Sequence, residues 1–252
     1  MSPHRLCLLA VVGLGACDSA AAATAAPSTA DAASPVLVEL FTSQGCSSCP
    51  PADALLQTLA DDPNLPIIPL AFHVDYWNYI GWEDPFSDAA WSKRQRAYAW
   101  ARDSRRVYTP QLLFNGVDHG VGRSESRSRS AIAKATASST AAVDVEASVA
   151  GATINVDLRL DGTAPGEHAA VFVALAQDHA STKVTRGENA RRTLSNAFIV
   201  RDMKRACDFK PGSRCSATFA SPGDGQHVVA WVQDVETMRV HGTGLASIED
   251  AP

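Results

Sequence analysis

The sequence predicts an α/β domain followed by a smaller all-β, sandwich-like domain. Three observations carry that prediction. Short apolar runs rich in β-formers alternate with helical patterns between residues 36 and 138. Beyond about residue 140 the helical period stops, and apolar residues recur at every second position. Pairs such as Asn115-Gly116, Asp161-Gly162 and Pro222-Gly223 punctuate the runs where turns belong.

Val36 to Phe41 reads as a buried strand. A helix follows over 52–60, with Leu55, Leu56 and Leu59 at helical spacing, and Asp61-Asp62-Pro63-Asn64 ends it. Ile67 to Val74 is a second strand, and 87–102 a second helix with Trp91, Ala97, Tyr98 and Ala101 near one face. Gln111 to Phe114 is a third strand, turned by Asn115-Gly116 into a returning strand over 117–121. A polar helix covers 124–138. In the second part, over 141–248, alternation marks strands at 143–149, 154–160 and 171–175, and an apolar run marks another at 228–232.

The 252 residues carry 46% hydrophobic and 19% charged side chains and a formal net charge of -5. That composition fits a packed globular chain, and no basic run interleaves with aromatics as a nucleic-acid surface would need. The arginines between Arg123 and Arg129 alternate with Ser and Glu, as on a solvated helix face. Residues 1–17 read as a signal peptide: Arg5 supplies charge, and Leu6 to Leu14 an apolar stretch shorter than the ~20 residues that span a bilayer. Leu14-Gly15-Ala16-Cys17 is similar to a bacterial lipobox, which would place a lipid on Cys17, and Asp18 is similar to an inner-membrane retention signal. A cut within Ala20 to Ala26, releasing a soluble periplasmic protein, is the alternative. The Ala, Ser, Thr and Pro-rich stretch 18–35 reads as a flexible linker. The expected location is thus extracytoplasmic or periplasmic, with a lipid anchor at the inner or outer membrane.

Export leaves Cys46, Cys49, Cys207 and Cys215 in an oxidising compartment. They can pair three ways, of which local pairing, 46 with 49 and 207 with 215, needs no knowledge of the fold. Cys46-Ser47-Ser48-Cys49 lies between the first strand and the first helix. There the N–H groups and dipole of a helix N-terminus favour a thiolate, the reactive form of cysteine. A structural zinc site would need a second pair at matching spacing, which 207 and 215 do not supply. Pro50-Pro51 is tolerated in a first helical turn and places Cys49 near the cap, which shifts the N–H field toward Cys49. Cys207 to Cys215, with Pro211-Gly212 at its middle, reads as a structural disulfide across a hairpin.

Residues 36 to about 138 resemble a thioredoxin fold, on the first strand, the Cys46–Cys49 turn and Thr109-Pro110. Phe41 to Pro51, Phe72 to Trp77, Arg94 to Tyr98, Tyr108 to Gln111 and Arg186 to Asn189 are similar to an exported thioredoxin-like family, domain of unknown function 1223. The resemblance implies that Cys46 attacks, that Cys49 resolves the mixed disulfide, and that Glu39 exchanges a proton with the resolving thiol. It implies a cis bond before Pro110, which would shape the substrate groove. His73, Asp75, Tyr76, Trp77 and Thr109 are candidates to line that groove, although His73 also fits a hydrogen-bonded core position. The expected activity is thiol–disulfide oxidoreduction on protein or small-molecule thiol clients, with no cofactor, metal or nucleic acid. The alternative is a binding protein with a structural 46–49 disulfide, or a copper chaperone using Cys46, Cys49 and His73, for which the two-residue spacing is unusual.

Overall fold

The first strand, β1 (Val36–Thr42), is buried along its whole length, as an apolar run between two helical layers must be. It belongs to a computed structural model that describes residues 34–136, 139–163, 166–220 and 226–248. The expected signal peptide, the lipobox with Cys17 and the linker up to residue 33 lie outside the described residues. After β1 come α1 (Pro50–Ala60), β2 (Ile67–His73), a 3-10 turn (Asp75–Ile80), α2 (Ala89–Trp100), β3 (Gln111–Phe114), β4 (Asp118–Gly120) and α3 (Glu125–Thr136). Then follow β5 (Ala141–Ala150), β6 (Thr153–Gly162), β7 (Ala169–Lys183), β8 (Thr193–Asp208), β9 (Arg214–Ala220), β10 (Gln226–Asp234) and β11 (Val240–Ile248).

Local chemistry sets several boundaries. Pro50 and Pro51 occupy the first turn of α1, where a missing N–H is harmless, and Cys49 is its N-cap. The Asp88 carboxylate accepts from Ala90 N at 2.7 Å and starts α2. The β3–β4 turn uses Asn115 (φ +45°) and Gly116 (φ +67°). A Cβ on Gly116 would come within 2.1 Å of the Met238 carbonyl, so only glycine fits where this turn meets the chain before β11.

The expected thioredoxin-like α/β domain followed by a separate all-β domain is not what forms. One mixed sheet of eight strands, in the order β11-β10-β7-β8-β2-β1-β3-β4, runs through both parts of the chain. The seam is β8, which pairs in parallel with β2 at Ala71↔Ile199 and antiparallel with β7. Three further strands, β5-β6-β9, form a second sheet. The joining strand escapes a periodic reading because its surroundings change along its 16 residues, and Asn196, Arg201, Asp202, Lys204 and Arg205 interrupt any alternation.

Side-chain alternation divides the core by face. Val36, Val38 and Leu40 pack with Ala52, Leu56 and Leu59 of α1 and Ala131 and Ile132 of α3. Leu37 and Phe41 point the other way, into a cluster with Trp91 and Tyr98 of α2 that continues through Ala174, Trp231 and Val240. One core therefore spans both halves of the large sheet. The β5-β6-β9 sheet closes a third cluster against Val171, Val173, Leu175, Val228, Ala230 and Val232 of β7 and β10.

Candidate functional site

Cys46 and Cys49 are joined in a disulfide, with Cα atoms 5.5 Å apart, in the turn between β1 and α1. The turn is tight: Cys46 N donates to Ser43 O at 3.1 Å, and Cys49 N to Cys46 O at 3.2 Å. Cys46 is 1% exposed and Cys49 0%, whereas Ser47 between them is exposed. The Ser48 hydroxyl lies 3.4 Å from the Cys46 sulfur.

A buried polar cluster lies under this turn. The α1 face of the sheet carries Thr42 and His73, which are register partners at the ends of β1 and β2. Asp53 is in α1 four residues after Cys49, and its N–H donates to the Cys49 carbonyl at 3.1 Å. Residues so spaced share a helix face, with Cβ atoms ~5–6 Å apart. Burial raises the Asp53 carboxyl from 3.8 to about 6, partly offset by His73 and the Thr42 side chain. His73 Nδ1 lies 2.7 Å from Asp84 Oδ2, and His73 Nε2 is buried without a hydrogen-bond partner. Burial alone would raise Asp84 as well. There His73 and the N–H groups of Gln44 and Phe86 outweigh it and hold the carboxyl below its ordinary value.

Gln44 ties the turn to the rest of the molecule. Its backbone N–H donates to Asp84 Oδ2 at 2.8 Å. Its side-chain amide donates to Asn196 Oδ1 at 2.9 Å and accepts from Trp82 Nε1 at 3.1 Å. Its carbonyl accepts from Asn189 Nδ2 at 2.9 Å, and the same amide reaches the Cys46 carbonyl at 3.0 Å. Next to Asn189, Glu188 Oε2 accepts from Ser47 N at 3.0 Å.

The remaining residues singled out from sequence divide between this site and elsewhere. Trp77 packs on Gly45, where an added Cβ would lie 3.1 Å from its own, and its Nε1 donates to Thr109 Oγ1 at 2.7 Å. The Thr109–Pro110 bond is cis, and Pro110 is buried. Tyr76 donates to Gln95 Oε1 at 3.0 Å, and burial raises its phenol to about 12. Asp75 accepts from the Ser92 hydroxyl and donates back to it with its own N–H. Glu39 lies on the opposite face of the sheet from α1. It is ion-paired with Arg94 at 2.7 Å and accepts from Tyr98, while Arg94 also donates to Gln233 Oε1 at 3.1 Å. The buried acid on the Cys49 side is Asp53. Cys207 and Cys215 are bonded, but β8 and β9 are not hairpin partners: the bond joins the eight-stranded sheet to the three-stranded one.

The profile of the family described as "Protein of unknown function (DUF1223)" matches residues 37–233. The chain belongs to the DUF1223 family. Within the solved structures, this DUF1223 chain is similar to an X-ray structure of a protein from Agrobacterium tumefaciens, with 26% identity, a TM-score of 0.66, and 88% of this chain and 98% of that one covered. It is also similar in fold to HBP35 of Porphyromonas gingivalis, at 12% identity and a TM-score of 0.60, over 86% of this chain and 76% of that one. No curated protein matches the DUF1223 chain.

The match ends at residue 233, so it takes in the β7–β8 segment as well as the cysteine turn. Asp84 and Asn196 escaped sequence reading as lone polar residues in distant segments, while Gln44 lay inside the Phe41 to Pro51 motif and Asp53 stood at helical spacing from Cys49, a signal that could have found it. Among the described residues, no three His, Cys, Asp or Glu side chains are arranged to hold a metal ion, and no helix is long and apolar enough to cross a membrane.

Proposed function

We propose that this chain performs thiol–disulfide exchange through Cys46 and Cys49, outside the cytoplasm, by chemistry of the kind thioredoxins perform. The observation that carries the reading is a disulfide at the start of a helix with a buried carboxyl one turn along. In the exchange, a client thiolate attacks the Cys46 sulfur and the Cys46–Cys49 bond breaks. Cys49 leaves with the bonding electron pair as a thiolate. A second client thiolate attacks the client sulfur of the mixed disulfide and expels Cys46. Two client thiols have become a disulfide, and the protein has gained two electrons and, at neutral pH, the protons its thiols hold. Run backward, the same steps reduce a client disulfide.

Asp53 supports the step at Cys49. A carboxyl titrating at about 6 gives up and takes back a proton near neutral pH, so it suits a leaving thiolate that must be protonated. His73, bonded to Asp84, offsets part of the effect of burial on Asp53. Pro50 and Pro51 remove two N–H donors from the start of α1. Stabilisation of a Cys46 thiolate therefore depends on the amides inside the turn itself.

The test is equilibration of the mature protein with glutathione buffers. A two-electron transition assigned to residues 46 and 49 by mass spectrometry supports exchange, and Cys49→Ser should accumulate a mixed disulfide through Cys46. A second reading, that the 46–49 bond is only structural, draws on the burial of both sulfurs. It prevails if the bond stays closed at every accessible glutathione ratio and neither Cys46→Ser nor Cys49→Ser traps a client.

A further inference from the structure

The contact between the cysteine turn and the β7–β8 segment has a form that a merely structural neighbour would not need. β10 pairs with β7 from Asp234↔Ala169 to Gln226↔Gln177. The β7–β8 pairing continues to Lys183↔Thr193, so among the described residues the last part of this hairpin pairs only with itself. A two-stranded ribbon of that kind is marginally stable alone. Its base is irregular. The β7–β8 register shifts between Leu175 and Ala176, passing over Arg201, and Phe198 takes a φ of +56°, which a bulky residue rarely adopts. Its tip is closed on itself by Val184 N to Arg192 O and Arg191 N to Val184 O, both at 2.9 Å. The ribbon is an arm on an irregular base, with a tip closed by its own backbone bonds.

The tip meets the turn through groups that resemble a peptide backbone. The Asn189 amide, fully buried, donates to the Gln44 and Cys46 carbonyls, and its Oδ1 accepts from Arg192 at 2.8 Å. The exposed Glu188 carboxylate accepts from Ser47 N–H. One side chain thus acts as an amide donor and its neighbour as a carbonyl acceptor, on either side of Cys46. Gly187, at φ +74°, lets the tip pass against Trp82 and Ile80.

We propose that Glu188 and Asn189 are the specificity-determining residues of the dithiol site: they latch the arm across Cys46, so a partner reacts only by replacing these contacts. This rests on the exchange reading given above. A partner that places its own acceptor on Ser47 N–H and its own donor on the Gln44 and Cys46 carbonyls displaces the tip without leaving those groups unpaired. A small thiol that offers neither must wait for the arm to open. The Ser47 side chain and backbone hold the Glu188 carboxyl below its ordinary value, the shift expected of a carboxylate that accepts from Ser47. Other charged or titratable groups set around the turn are Asp53, His73 and Asp84 below it and Arg192 behind Asn189.

The experiment measures the rate at which dithiothreitol reduces the 46–49 bond in the mature protein, in Glu188→Ala and in Asn189→Ala, beside the equilibrium constant of each with glutathione. Glu188 is exposed, so its removal leaves the fold intact whatever Asn189→Ala does. The latch predicts severalfold faster reduction in Glu188→Ala and about tenfold in Asn189→Ala. Equilibrium constants should move less than threefold, which is about 14 mV at 29.6 mV per decade. Rates equal to wild type in a folded Glu188→Ala overturn the latch while leaving exchange intact. A bond that opens in no variant and at no glutathione ratio overturns the exchange reading and the latch together.

Discussion

The two disulfides of this chain are made of the same bond in different surroundings, one beside buried ionisable groups and one beside solvated ones. Cys207–Cys215 joins the two sheets and packs against the apolar cluster between them. On its inner side lie aliphatic and phenyl side chains. The charged groups near Cys215, namely Glu146, Asp157, Arg159 and Arg214, line a surface recess, with Arg159 and Glu146 paired in an exposed ion pair. Cys46–Cys49 lies over Asp53, His73 and Asp84, at the start of a helix, with Glu188 and Asn189 bonded to its own backbone. Solvated charges such as those beside Cys215 need no partner in a sulfur reaction, whereas Asp53, His73 and Asp84 are buried. A bond that must open requires groups that move protons and stabilise sulfur charge. The difference therefore lies in the side chains around each bond rather than in the bonds.

The largest expected effect separates the two. Cys46→Ser should reduce exchange with glutathione to background, while the Cys207→Ser, Cys215→Ser double variant should exchange at the wild-type equilibrium. Mass-resolved redox titration of both proteins decides it. Next in size is a control in which both disulfides stay intact. Arg94→Ala leaves Glu39 as an unpaired buried carboxylate and should lower unfolding free energy by about 3–5 kcal/mol, read from urea midpoints, without moving the redox equilibrium. If the equilibrium does shift, the two faces of β1 are coupled, and the surroundings of the 46–49 bond extend beyond the side chains that touch its turn.

Asp53→Asn tests the titratable side of the comparison. The carboxyl lies at about 6 in the folded chain against 3.8 ordinarily, so the native state binds more protons between those values. Its contribution to stability is present in full below about pH 4 and is lost as pH rises through about 6. The difference amounts to about 3 kcal/mol. The Asp53→Asn variant should therefore flatten the pH dependence of the urea midpoint and make the protein more stable than wild type above pH 6. It should also slow the resolving step at Cys49, read as longer-lived mixed disulfide. The smallest effect belongs to the staple: closing its short loop is worth about 2–3 kcal/mol, so its double serine variant should unfold at correspondingly lower urea.

Much of this site was legible because turn chemistry and the cysteine pair are local. The Cys46–Cys49 motif, the Asn115-Gly116 turn and the strand Gln111–Phe114 all stand where their residues alone place them. Arg186 to Asn189 could be singled out as a motif, but nothing in its composition says that it touches Cys46, 143 residues away. Asp53 sits on a helix whose apolar spacing was clear, and its chemistry arises only because α1 presses it against Thr42 and His73. Glu39 and Asp53 look alike in sequence. Strand alternation sends one to Arg94, and helix position sends the other among Thr42, His73 and Asp84, one turn from Cys49.

By itself the sequence determined many local elements, from the strands before residue 121 to those at 143–160 and 228–232, where α1 starts, and which two cysteines are close enough to bond without help from the fold, but not β8, β9 or β11. The tertiary structure decided that one eight-stranded sheet would join strands from both parts of the chain, because the edge of β2 has backbone groups to satisfy and β8 supplies partners. That pairing brings the arm to the cysteine turn, which is then bonded by Asp84, by Asn196 of β8 and by Glu188 and Asn189 at the tip. Periodicity records what a residue's own element buries. It carries no record of which distant element will complete the hydrogen bonds, and here those distant bonds make the site.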